Sequence, residues 1–146
     1  MANPFPFASS DVLTAAELNS IGEWTTYTPT LNNISGSIVT ARYAQINETV
    51  HVYVNLQVTA VTNYFDISLP VTAANLAQLN GGWVYFYDVG ANIYWGMTLA
   101  YTTTAVRFSP FYLSGSYASY TTANTNTPFT WASGDYIYFG LTYEAA

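Results

Sequence analysis

Residues 49–61, TVHVYVNLQVTAV, alternate apolar and polar positions almost without a break. Val50, Val52, Val54, Leu56 and Val58 point one way, and His51, Tyr53, Asn55, Gln57 and Thr59 the other. That period of two predicts a strand with one buried face. YFDISLP repeats the pattern with Phe65, Ile67 and Leu69 inward, and Pro70 stops it. ARYAQI leads into Asn47-Glu48, which suits a two-residue turn. IYWGMTLAY, AVRFSPFYL and DYIYFGLTY read as further strands, separated by Gly-, Asn- and Ser-containing turns. WVYFYDV, residues 83–89, departs from the rule: five apolar or aromatic side chains precede Asp88. Val84 and Phe86 suit a core. Trp83, Tyr85 and Tyr87 then form a second sticky face that requires its own cover.

The pattern changes near the N-terminus. LTAAELNSIG places Thr14 as an N-cap and Glu17 three residues on, which is a capping box. Leu13 and Leu18 occupy staple positions, and Gly22 suits the C′ site. These signals predict a helix over residues 15–21, too short to be stable alone. It must dock, with Leu18 and Ile21 as its apolar face. Ahead of it, Pro4 and Pro6 interrupt an irregular run that carries Phe5 and Phe7. AANLAQLNGG reads as a short helix or a loop, and the polar stretch 114–128 as a long loop. The expected fold is all-β: an antiparallel β-sandwich or jelly roll with a short N-terminal helix. Residues 1–22 form an arm and 23–146 the β body.

Composition adds a constraint on the surface. Of 146 residues only 7% are charged, there is no Lys, and the two Arg are Arg42 and Arg107. Ordinary soluble domains carry roughly 25% charge. The net charge of −6 repels a phosphate backbone, which excludes nucleic acid as a partner. No apolar run reaches the ~18 residues of a membrane span, and MANPFPFASSDVLT lacks the pattern of a secretory signal. With 14 Tyr, 8 Phe and 4 Trp, much of the surface is expected to lie against another copy of the chain.

Four motifs carry a resemblance. VLTAAELNSIGEWTTYTPTL, ARYAQINETVHVYVNL, ISLPVTA and WASGDYIYFGLTYEAA occur in that order. The chain resembles short tail-fibre and minor-tail proteins of tailed bacteriophages, over both ends and most of the first half. The resemblance implies a virion structural protein, assembled in the host cytoplasm, with a homotrimeric β body. It also implies that the N-terminal segment attaches to other virion proteins, with Phe5, Phe7, Leu13, Leu18 and Ile21 as the particle-docking residues. In that family the turn after RYxQI usually reads Gly-Lys; here it is Asn47-Glu48, so the local charge is reversed. A tail appendage knob that contacts the host surface and a capsid decoration protein (cement or head fibre) both fit.

Candidate chemistry is sparse. His51 is the single histidine and sits on the polar face of the best strand. The carboxylates Asp11, Glu17, Glu23, Glu48, Asp66, Asp88, Asp135 and Glu144 are scattered over turns and strand ends. No Cys is present, no spacing gathers metal ligands, and no Gly-rich phosphate loop occurs. The expectation is a non-enzymatic protein without cofactor or metal; a glycan-cleaving carboxylate pair ranks last. The aromatics remain. Trp83, Tyr85, Tyr87, Tyr94, Trp95 and Tyr101 fit either a core and subunit interface or a platform for sugar rings. The second option makes the chain a glycan-binding receptor-recognition module with a host-surface glycan as partner.

Overall fold

The computed structural model describes residues 12, 14, 15, 20–74 and 82–146. Its eight strands are β1 (Thr25–Thr26), β2 (Leu31–Ile46), β3 (Thr49–Ser68), β4 (Gly82–Tyr87), β5 (Ile93–Thr102), β6 (Ala105–Ser114), β7 (Tyr117–Tyr120) and β8 (Tyr136–Glu144). Every pairing is antiparallel. The order is β1-β2-β3-β8-β4-β5-β6-β7, with a further pairing of β3 to β6. The last strand of the chain is thus inserted between β3 and β4. The two ends of the order, β1 and β7, are short, and β1 pairs only with Arg42 and Tyr43, so among the described residues most of the outer edge of β2 has no strand beside it.

β3 explains how the sheet returns on itself. Its residues 49–57 pair with β8, while Ile67 and Ser68 pair with β6. The pairings therefore run β3–β8–β4–β5–β6 and back to β3. Strand direction alternates at each antiparallel step, so five straight strands cannot close such a ring. β3 must turn over between Gln57 and Ile67. A wide bulge lies there: Asn32 faces Asp66, but Ile34 faces Val61. Asn33 sits at the shift with φ 57°. Its Nδ2 donates to the Tyr64 carbonyl at 2.9 Å, and Thr62 Oγ1 donates to the Asn33 carbonyl at 3.3 Å. The bulge bends the ladder without ending it. The two strands expected at 50–58 and 65–69 are consequently one strand of 20 residues.

The alternation along β3 is used as expected. Val50, Val52, Val54, Leu56 and Val58 are buried, as are Phe65 and Ile67 beyond the bulge. They meet Ile137, Phe139 and Leu141 of β8, Val84 and Phe86 of β4, and Val106 and Phe108 of β6. The Phe108 ring lies 4.9 Å from Phe139 and 5.6 Å from Phe65. Each such buried side chain contributes about 1.5–3 kcal/mol by area transfer.

Residues 114–128 do not form one long loop. Tyr117–Tyr120 pair back onto β6 through a two-residue turn, in which Gly115 supplies φ 63°. The chain then stays beside β6, with Ala123 N–H donating to the Phe108 carbonyl at 2.8 Å. Trp131 packs edge-on against Phe65 and Phe86, both at 5.9 Å, and its Nε1–H donates to the Asn124 carbonyl at 3.0 Å.

The N-terminal helix expected over residues 15–21 is not among the strands and turns described. Residues 16–19 lie outside the described residues, as do Phe5, Phe7, Leu13 and Leu18. AANLAQLNGG also falls mostly outside them. Ile21 is half-buried in a turn, and Gly22 follows with φ 72°. A side chain at position 22 would press on Ile46 Cδ1 at 3.1 Å, so this end of the arm touches the end of β2. Among the described residues no helix is long and apolar enough to cross a membrane.

Candidate functional site

The register across β2, β3, β8, β4 and β5 settles what shares the outer face. Arg42 faces Tyr53, Tyr53 faces Gly140, Gly140 faces Trp83, and Trp83 faces Met97. The next outward row is Asn55, Tyr138, Tyr85 and Trp95. The row after it is Gln57, Tyr136, Tyr87 and Ile93. Trp83, Tyr85 and Tyr87 are thus brought together on one face, and much of their cover comes from this chain. Tyr85 lies 3.7 Å from Trp95 and 5.0 Å from Trp83. Tyr87 stacks on Tyr136 at 6.3 Å, and Tyr136 on Tyr138 at 5.6 Å. Tyr85 and Tyr87 end half-buried, while Trp83 keeps 39% and Trp95 54% of their surface. Burial raises the Tyr138 phenol, and the neighbouring Tyr136, Tyr53 and Tyr87 add to the rise.

One edge of this face is concave. Trp24, Tyr53 and Trp83 wall a cleft of about 300 Å³, and His51, Gly140 and Thr142 are also in its lining. Gly140 shapes it: a Cβ there would lie 2.8 Å from Trp83 Cε2. The indole therefore occupies space that a side chain on β8 would take. Arg42 holds the opposite wall, with its guanidinium 4.7 Å from the Trp24 ring centroid and 5.5 Å from that of Tyr53. In the lining, His51 Nδ1 and Thr142 Oγ1 share a hydrogen bond of 3.0 Å.

A second cavity, of about 450 Å³, lies at the base of the β6–β7 hairpin between Tyr94, Pro110, Phe111, Tyr112 and Pro128. The hairpin beyond it is exposed on both faces, with Leu113 at 82% and Tyr117 at 80%. Tyr94, expected as a stacking candidate, is half-buried and packs on Phe129 at 5.3 Å. Tyr101 lies beneath Arg107, whose guanidinium is 3.4 Å from its ring centroid.

Arg107, Asp66 and Asp135 have structural duties. Arg107 approaches Asp66 at 3.8 Å, and Asn32 Nδ2 donates to the same carboxylate at 3.1 Å. Asp135 is buried and accepts the backbone N–H groups of Val89 at 3.0 Å and Ala132 at 2.7 Å. Among the described residues no three His, Asp or Glu side chains gather as metal ligands do. In the core, Tyr143 donates its hydroxyl to the Val71 carbonyl at 2.8 Å, and burial pushes its phenol up to about 12.

Sequence reasoning placed Trp83, Tyr85 and Tyr87 on one face but missed Trp24, Arg42, Tyr53, Gly140 and Thr142 as their neighbours. The outward alternation of β3 already marked Tyr53 and His51 as surface residues. What brings them to Trp83 is the insertion of β8 between β3 and β4, which no local pattern signals. No protein-family model, curated protein or solved structure matches the chain.

Proposed function

We propose that the chain is a non-enzymatic structural protein of a bacteriophage virion, a homotrimeric tail appendage knob held by its N-terminal arm. The motif order from the N-terminal segment to WASGDYIYFGLTYEAA supports the virion assignment. The observation that carries self-association is the β6–β7 hairpin. A two-stranded ribbon has little stability of its own, yet this one presents Phe111, Tyr112, Leu113, Tyr117 and Tyr120 to solvent. No charged residue occurs from 108 to 134, so nothing ionic keeps it wet. A second copy of the chain is the occupant that suits an uncharged apolar ribbon. Within a trimer these side chains would be buried, at about 25 cal/mol per Å² of apolar surface.

Light scattering on the purified protein tests this. A trimer of 16.0 kDa chains has a mass of about 48 kDa. Leu113→Asp combined with Tyr117→Ser is expected to return the mass to that of one chain while the fold persists. A wild-type mass of one chain at micromolar concentration would refute self-association.

A further inference from the structure

The cleft between β3, β8 and the segment before β1 combines two features on the aromatic face. It is concave, and it offers polar atoms between its aromatic walls. Trp24 and Trp83 keep 46% and 39% of their surface exposed, so each has ring area available to a ligand. Their positions are held, Trp24 by the Arg42 guanidinium and Trp83 by its seat over Gly140. Rings fixed in advance bind without a further ordering cost.

The polar atoms narrow the ligand class. His51 is exposed and bonds through Nδ1 to Thr142 Oγ1, and Nε2 has no partner among the described residues. If Nδ1 donates to Thr142, Nε2 is an acceptor; if Nδ1 accepts, Nε2 donates. A hydroxyl group satisfies either case. The Tyr53 hydroxyl can also both donate and accept. Phosphate is disfavoured by the net charge of −6, and Arg42 already faces two rings. A hydrocarbon chain would desolvate His51 Nε2 without giving it a partner. A ring with an apolar face and a hydroxyl rim satisfies both the indole walls and these polar atoms.

We infer that the cleft lined by Trp24, His51, Tyr53, Trp83, Gly140 and Thr142 binds one neutral hexopyranose unit of a glycan. The C–H face of the sugar lies on the Trp83 indole, and its hydroxyls meet His51 Nε2 and the Tyr53 hydroxyl. The site is separate from the hairpin, since β5 runs between β4 and β6. It therefore stands or falls independently of trimerisation.

The test is a titration of the full-length, isotope-labelled protein with the methyl glycosides of glucose, galactose, mannose and N-acetylglucosamine. The readouts are the indole N–H resonances of Trp24 and Trp83 and the amides of Gly140 and Thr142. At least one glycoside is expected to shift them saturably, with a dissociation constant on the order of 1–10 mM for a single sugar ring. Trp83→Ala is expected to weaken binding about tenfold, and His51→Ala about fivefold. Trp24→Ala, a more exposed change, serves if Trp83→Ala fails to fold. Leu113→Ser, on the hairpin, should leave the affinity unchanged. The inference is overturned if none of the four glycosides moves these resonances at about 100 mM. It is equally overturned if folded Trp83→Ala or Trp24→Ala binds as the wild type does. Light scattering of the same samples reports assembly separately, so loss of sugar binding and loss of the trimer are distinguishable.

Discussion

The indole of Trp83 lies against the backbone of Gly140 on the adjacent strand, where a Cβ would come within 2.8 Å of its Cε2. The two residues are register partners in the β4–β8 pairing. Gly140 is needed there for the space it leaves, since its φ is not in the left-handed region. Gly140→Ala should displace the indole and cost about 1–3 kcal/mol, the range for overpacking at a fitted contact. Urea denaturation measures the cost, and a changed Trp83 indole N–H resonance reports the displacement. Unchanged stability together with an unchanged resonance would show that the indole has other room.

Asp135 fastens the start of β8 to the β4–β5 turn by accepting the Val89 and Ala132 N–H groups. Asp135→Ala removes the acceptor from two part-buried hydrogen bonds. Bonds to a charged group contribute about 1.5–3 kcal/mol each, so a loss of about 3 kcal/mol in total is expected. Asp135→Asn keeps one carbonyl acceptor and should lose about half of that. The denaturant midpoints of the two variants check the order; equal losses would mean that one of the bonds contributes nothing.

Alkaline pH should unfold the protein through its buried phenols. Burial raises Tyr143 from 10.0 to about 12 and raises Tyr27 as well. Because the folded values lie above the unfolded one, the associated stability is fully present below pH 10. It is lost as pH rises from 10 towards 12, where the unfolded chain gives up protons that the folded chain retains. Stability measured at intervals from pH 8 to 12 should be flat at first and then fall. Tyr143→Phe should lower stability at neutral pH by about 1 kcal/mol through the lost bond to the Val71 carbonyl and make the alkaline decline shallower. An identical decline in that variant would exclude Tyr143 as a contributor.

If the chain is the virion appendage proposed above, removal of residues 1–22 leaves a folded β body that no longer joins particles. Gly22 lies beside Ile46, but the buried core residues all come later in the chain. Circular dichroism of the truncated protein and its co-purification with virions check the two halves of the expectation. Incorporation at the wild-type level would place the attachment surface on the body instead.

Several features were legible from local pattern alone. The alternation Val50, Val52, Val54, Leu56, Val58 requires one buried face, because a strand turns successive side chains to opposite sides. Val84 and Phe86 are buried for the same reason. The pair Asn47-Glu48 does turn the chain, with Asn47 at φ 53° between the partners Ile46 and Thr49. The aromatic content was likewise plain from composition, and three of the four indoles keep 39% or more of their surface exposed.

Other features depended on distance in space. Tyr117–Tyr120 reads as loop in the sequence because Ser and Ala dilute its aromatic signal, yet a glycine turn pairs it to β6. The continuity of β3 rests on a bulge that a linear pattern shows as a gap. The partnership of Trp83 with Gly140, and of both with Tyr53, exists because β8 enters between β3 and β4. Alternation determines which side of a strand a residue faces, since it follows from backbone geometry within a few residues. It does not specify the neighbouring strand. That choice is made by the closure of the whole sheet, and it decided which aromatic rings became mutual cover and which became the walls of a cleft.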